Sequence, residues 1–173
     1  REHVAKALEM PLEKVHIKQI LLGGGFGGKT NSDQAIEAAT IAKLRGKLVQ
    51  LVWTRKEEFM YDRFRTAAVM KVSSGLDNVG KLKLWEFDIY CAGTRGTNLF
   101  YEVPNNRTRI FNENNIHPFA TGAWRAPGNN STTFARESHI DVTAFEAGID
   151  PLEFRLKNLK SENMVAALKL GAE

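Results

Sequence analysis

The stretch Gly23-Gly24-Gly25-Phe26-Gly27-Gly28-Lys29-Thr30 limits this chain more than any other. Glycines set around a single aromatic cannot sit inside a helix or a strand, because glycine costs backbone entropy there and buries no side chain. The run before it, residues 15–22, reads as a strand, and residues 31–45 read as a helix. A loop of this kind offers bare backbone that another group can approach closely. The helix behind it directs unpaired N–H groups and the positive end of its dipole toward whatever the loop holds. An anionic ligand group suits that geometry.

Two phosphate-binding spacings are satisfied at once. Gly23, Gly28, Lys29 and Thr30 fit G-x-x-x-x-G-K-[ST], which would put Lys29 on phosphates and Thr30 on magnesium. Gly23, Gly25 and Gly28 fit the dinucleotide spacing G-x-G-x-x-G. A second apolar strand at 48–54 completes β-α-β and keeps both readings open. The next segment weakens them. Residues 66–76 and 81–92 read as two long strands around the turn 77–80, with Trp85, Phe87, Ile89 and Cys91 on one face and Leu82, Leu84, Glu86 and Asp88 on the other. A long antiparallel hairpin is out of place in a doubly wound parallel sheet. Thr54-Arg55 also stands where the dinucleotide pattern wants an acidic residue, and the alternation leaves Asp88 on a polar hairpin face rather than at a metal.

Composition removes several classes. The chain has 173 residues, enough for a core that folds without staples, and reads as one domain over 1–173. A net charge of +4 with no basic run argues against nucleic acid as a partner. Cys91 is the single cysteine, so iron–sulfur ligation and cysteine zinc clusters within this chain are excluded. No apolar run approaches the length of a membrane span. The first residues fall directly into a helical pattern, which leads us to expect a piece of a longer chain.

Along that chain, Val4, Ala5 and Leu8 share a helical face that Met10-Pro11 ends. Ala35, Ala38, Ala39 and Ala42 form a stripe of small residues expected to be buried, and 55–59 reads as a short helical turn. His16 reads as a solvent-face residue. Residues 93–118 are loop-rich, with one short strand at 107–111. The second informative stretch is Thr121-Gly122-Ala123-Trp124-Arg125-Ala126-Pro127-Gly128, where small residues carry one aromatic and one cation at the mouth of a helix. Arg125 there suits contact with an anion. The helix is expected over 131–147 with Phe134, Ser138, Val142 and Phe145 inward. Asp150-Pro151-Leu152-Glu153 opens another by a capping box, with Leu152, Leu156 and Leu159 as its inner face.

Gly23 to Lys29, Leu51 to Phe59, Trp124 to Gly128 and Asp150 to Leu159 together resemble, in order, the molybdenum hydroxylases: the xanthine dehydrogenase, aldehyde oxidase and carbon monoxide dehydrogenase family. The likeness covers nearly the whole chain and falls in the molybdopterin-binding region of the large subunit. It implies an α+β fold, a small mixed sheet with a long antiparallel hairpin and helices packed on it. It further implies that Gly24, Gly25, Phe26, Gly27, Gly28 and Arg125 bind the molybdenum cofactor, with no side chain of this chain as a metal ligand. Thr30 and Pro127 would stand on the substrate side. Partners implied are the remainder of the large subunit and an iron–sulfur domain or subunit, with FAD a further cofactor held elsewhere.

The chain also departs from the family pattern. The segment carrying the family's general-base glutamate is absent from these residues, so no catalytic side chain is expected here. In purine-oxidising relatives a glutamate stands at the position of Thr30 and an aromatic at that of Pro127, and Arg95 is only a loose counterpart of their second substrate arginine. Those differences point away from purines and toward an aldehyde or an N-heterocycle. A nucleotide-binding module built on Gly23 to Thr30 stands as the second reading.

Overall fold

A computed structural model describes residues 1–111, 117–126 and 128–173. The chain forms two compact units: unit 1 takes 1–65 and 119–125, and unit 2 takes 66–118 and 126–173. Among the described residues, helices and one three-stranded sheet make an α+β fold, as expected.

In unit 1, helix α1 (Glu2–Ala7) packs Val4, Ala5 and Leu8 with Val15, and Ile36 and Ala39 of helix α2 (Asp33–Arg45) close over that cluster. Lys43 Nζ donates to the Leu8 carbonyl at 2.6 Å, satisfying an acceptor just beyond the end of α1. Gly46 stops α2 in the left-handed conformation. Helix α3 (Arg55–Tyr61) opens on a full capping box, in which Thr54 and Glu57 each satisfy the other's backbone N–H.

Two expectations fail in this unit. Residues 16–22 and 48–53 are not strands, because a strand exists only where its backbone groups pair across a ladder, and no described residue pairs with them. Leu21 and Leu48 are fully exposed as a result. The alanine stripe of α2 is only half-buried: Ala35 is exposed, Ala38, Ala39 and Ala42 are partly covered, and Ala39 packs on the α1 cluster together with Ile36.

Unit 2 is built on strands β1 (Val69–Leu76), β2 (Leu82–Tyr90) and β3 (Asn105–Phe111) in the order β1-β2-β3. β1 runs antiparallel to β2, with Val72 opposite Phe87, while β3 runs parallel to β2. The hairpin turn is pinned by Asp77, whose Oδ1 accepts from the Val79 and Lys81 N–H groups. Trp85, Phe87 and Ile89 are buried on one face, as the alternation predicts. Leu82 joins them, contrary to that alternation. The register slips between Gly75 and Leu76, leaving Lys83 as an extra residue, and such a bulge moves everything before it to the other face. Cys91, expected on the same face, lies past the strand end with φ 67°. On the polar face, Asp88 is held by Arg109 at 2.7 Å, and that contact keeps its carboxyl below the usual range.

Helices α4 (Asn129–Glu146), α5 (Pro151–Asn158) and α6 (Glu162–Gly171) complete the unit. The α4 surface that faces inward is not the predicted one. Thr132, Arg136, Ile140, Thr143 and Ala144 are buried, whereas Phe134 (74% exposed), Val142 and Phe145 (85%) face away. An apolar stripe misled because the buried side carries an arginine. Arg136 is 2% exposed and lies over the Phe100 ring; its guanidinium donates to Glu137 and to the carbonyls of Gly96 and Asn98. On α5, the centre of the inner face is Phe154 and Asn158 rather than the three leucines, which are half-buried. Asn158 accepts from the Leu82 N–H at 2.8 Å and donates to the Gly80 carbonyl, tying α5 to the hairpin turn.

His139 of α4 hydrogen-bonds to Ser74 of β1 at 2.9 Å and meets Trp85 edge-on. Burial lowers its pKa, with the Glu146 carboxylate partly opposing. A histidine whose folded pKa lies below its unfolded value favours the neutral folded form, so the unfolded chain takes up the proton first as pH falls. Stability is therefore expected to drop as pH falls through and below about 6.5. Melting temperatures from pH 8 to 5 test this: His139→Gln should flatten the decline, and an unchanged decline would remove His139 as its source.

Candidate functional site

Unit 1 brings the two glycine-containing loops together. In the first, the Gly28 N–H donates to the Gly25 carbonyl at 2.8 Å, and Gly28–Thr30 forms a single 3-10 turn. The Thr30 hydroxyl donates to the Gly27 carbonyl at 2.8 Å, so it is used within the loop. The Lys29 stem folds back on Gly25, where an added Cβ would lie 3.0 Å from Lys29 Cβ. Helix α2 begins only at Asp33, after Asn31 and Ser32, so it does not open directly on the loop. Gly24 and Gly27 have φ of 123° and 96°, which side chains rarely allow. Phe26 itself sits at φ 49°, a left-handed conformation uncommon for a bulky residue, and its ring is exposed.

The second loop is held against the first by residues 63–65. Phe64 donates to the Ala120 carbonyl and accepts from the Gly122 N–H at 3.0 Å, a short parallel bridge. Gly122 lies on the Arg63 stem, where an added Cβ would come within 2.8 Å of it. Arg65 donates to the Arg125 carbonyl at 3.3 Å. Sequence reasoning passed over Arg63, Phe64 and Arg65. The only signal was two arginines flanking a phenylalanine, and no periodicity marks such a segment. These residues also wall a cleft of about 330 Å³ with Arg55, Phe59 and Trp124.

Where the loops meet, the contact is backbone to backbone. A Cβ on Gly27 would fall 2.7 Å from the Ala123 carbonyl carbon and 2.8 Å from the Trp124 nitrogen. Beside that contact, the Arg125 guanidinium lies 5.6 Å from the centre of the Phe26 ring, within cation–π range. No carboxylate among the described residues pairs with Arg125. Of the residues expected at a site, Phe26, Gly27 and Arg125 are thus drawn to one place, with Gly24, Gly25 and Gly28 shaping the turn. Pro127 lies outside the described residues. Arg95 packs its stem against Gly128 in unit 2.

Chemically, the arrangement offers a cation with no carboxylate partner among the described residues, bare glycine backbone and an exposed aromatic. That set suits an anionic, oxygen-rich group with an extended body. The described residues contain no cluster of histidine, cysteine or carboxylate side chains that could hold a metal ion. Nor is any of their helices long and apolar enough to cross a membrane.

Residues 1–159 match the family model described as "Molybdopterin cofactor-binding domain". The chain is 29% identical to the xanthine dehydrogenase molybdenum-binding subunit of Escherichia coli O157:H7, over 94% of this chain and 23% of that protein. It is 32% identical to the aldehyde oxidoreductase molybdenum-binding subunit PaoC of Escherichia coli (strain K12), over 91% of this chain and 23% of that one. It therefore spans about a quarter of these relatives' length. Among solved structures, quinoline 2-oxidoreductase from Pseudomonas putida 86 superposes with a TM-score of 0.75 at 20% identity, over 94% of this chain and 23% of that one, a likeness of fold.

Proposed function

Because the chain belongs to the molybdopterin cofactor-binding domain family, we propose that it supplies two cofactor-binding loops to a molybdenum-dependent oxidoreductase that hydroxylates an aldehyde or an N-heterocycle. The observation that carries this is the meeting of Gly27 with the Ala123-Trp124 backbone beside which the Arg125 guanidinium lies over Phe26. Gly24, Gly25, Gly27 and Gly28 leave the backbone on either side of Phe26 without side chains, so that its amides, with the Phe26 backbone, reach the cofactor. Arg125 neutralises its negative charge. Thr30 stands on the substrate side, and the departure of Thr30 and Pro127 from the purine pattern supports an aldehyde or an N-heterocycle other than a purine. When bound, the cofactor supplies two-electron redox chemistry that places a water-derived oxygen on substrate carbon, with electrons leaving through iron–sulfur centres on another domain or subunit.

The general base belongs to a further segment of the large subunit, so these residues bind and orient rather than move a proton. The nucleotide reading fits less well. It needs Lys29 and Thr30 at the mouth of a helix, whereas Thr30 is bonded within its own loop and α2 starts at Asp33.

Elemental analysis of the full-length protein from its native host tests the proposal. Stoichiometric molybdenum is expected, and folded protein free of molybdenum, from a host whose other molybdenum enzymes are active, would overturn it. Arg125→Ala removes a charge-assisted contact and should weaken cofactor retention by about 10- to 100-fold, with Arg125→Lys restoring part. Equal molybdenum content in all three proteins would remove Arg125 from the site.

A further inference from the structure

Helix α4 packs on β1, and β1 is the outermost strand of the sheet among the described residues. The core therefore stops at an open flank. Met70 and Val72 of β1 face the same side as Phe87 and Ile89, their partners on β2, but beyond β1 the space beneath α4 is a groove of about 870 Å³. Phe134, Ser138 and Val142 of α4 line its other wall. This is the apolar stripe whose pattern marks a buried face and which points away from the core of unit 2.

Edge strands that must stay unpaired are kept short or blunted by proline, charge or a bulge in their middle. β1 is eight residues long, holds no proline, carries Lys71 as its one charge, and bulges only at its last pair. A strand laid along it would continue the sheet, and alternate side chains would then enter the groove against Phe134 and Val142. One extended segment with apolar residues at every second position satisfies both the ladder and the groove.

We infer that the groove between α4 and β1 seats an extended strand supplied by the part of the subunit outside these 173 residues. The source follows from length: about three-quarters of each relative lies beyond the matched region, and a strand tethered in the same polypeptide binds at high effective concentration. This rests on the reading of the chain as one segment of a larger subunit. It does not require that the subunit hold molybdenum, so the two can fail separately.

Hydrogen exchange of Val69–Leu76 decides it, measured on the 173-residue chain and on the full-length subunit. The alternate amides that do not pair with β2 should exchange freely in the former and slow by on the order of 100-fold in the latter. Phe134→Glu should leave the melting temperature of the 173-residue chain unchanged and lower that of the full-length subunit. Equal exchange of those amides in both proteins would overturn the inference, as would a Phe134→Glu subunit as stable as its parent. A 173-residue chain that dimerises in sedimentation, with the same amides protected and Phe134→Glu dissociating it, would overturn it in favour of a second copy as occupant.

Discussion

Gly27→Ala is expected to empty the holoenzyme of molybdenum. The new Cβ would lie 2.7 Å from the Ala123 carbonyl carbon and 2.8 Å from its oxygen, both backbone atoms that cannot swing aside. The φ of 96° adds a separate penalty for any residue with a side chain. Overpacking of a rigid contact costs about 1–3 kcal/mol, and relief requires the two loops to separate. Separation takes Arg125 away from Phe26, so the anion site is lost before the fold is. Molybdenum-to-protein ratio and melting temperature, measured together, distinguish the two losses. Gly23→Ala makes the comparison sharp, because nothing lies within 4 Å of a Cβ there and its stability should hardly change. Unchanged metal content and unchanged melting in Gly27→Ala would show that the loop contact has no bearing on the cofactor.

The second large effect is structural. Arg136→Ala should destabilise unit 2 by about 3–5 kcal/mol, the range for removing one partner from a buried charged network. Arg136 holds the Gly96 and Asn98 carbonyls, fills the space beside Phe100 and bonds to Glu137. Glu137 would keep Tyr101 and Arg155, whose bonds to it measure 2.7 and 3.3 Å, so the loss falls mainly on the 96–100 loop. Arg136→Lys keeps the charge but cannot reach three acceptors in one plane, and it should recover less than half of the loss. Denaturant midpoints, with hydrogen exchange over residues 93–103, give the measure. A midpoint for Arg136→Ala within experimental error of the parent would refute the anchoring role.

Much of the fold is legible in the amino-acid sequence. Period-two alternation locates β1 and β2, since one face of an antiparallel hairpin is buried and the other wet. A cap fixes α5, because Asp150 before Pro151 acts locally and needs no tertiary context. Local rules fail where a partner decides the outcome. The stripe of α4 reads as a core face, yet Arg136 lies inward, because its acceptors come from a loop some forty residues earlier in the chain. Leu82 changes face through a bulge that no pattern announces. At the site, glycine content reveals both loops, but the bracing segment Arg63 to Arg65 has neither periodicity nor motif to show it.

The path of the chain through its two units carries a consequence for synthesis. The chain leaves unit 1 at Arg65 and returns only for residues 119–125, which complete the bridge to Phe64 and bring Arg125 to Phe26. A ribosome must therefore make about half of unit 2 before unit 1 can close, and must then make α4 before unit 2 can. Each body waits, with its backbone unpaired, on a stretch translated after the other has begun. The added length between Phe64 and its partner raises closure entropy only slowly, by roughly 0.6 kcal/mol per doubling. Time is the scarcer quantity: the nascent glycine loop stays open to solvent until residue 125 emerges, so the two-loop site can capture cofactor only after that point of translation.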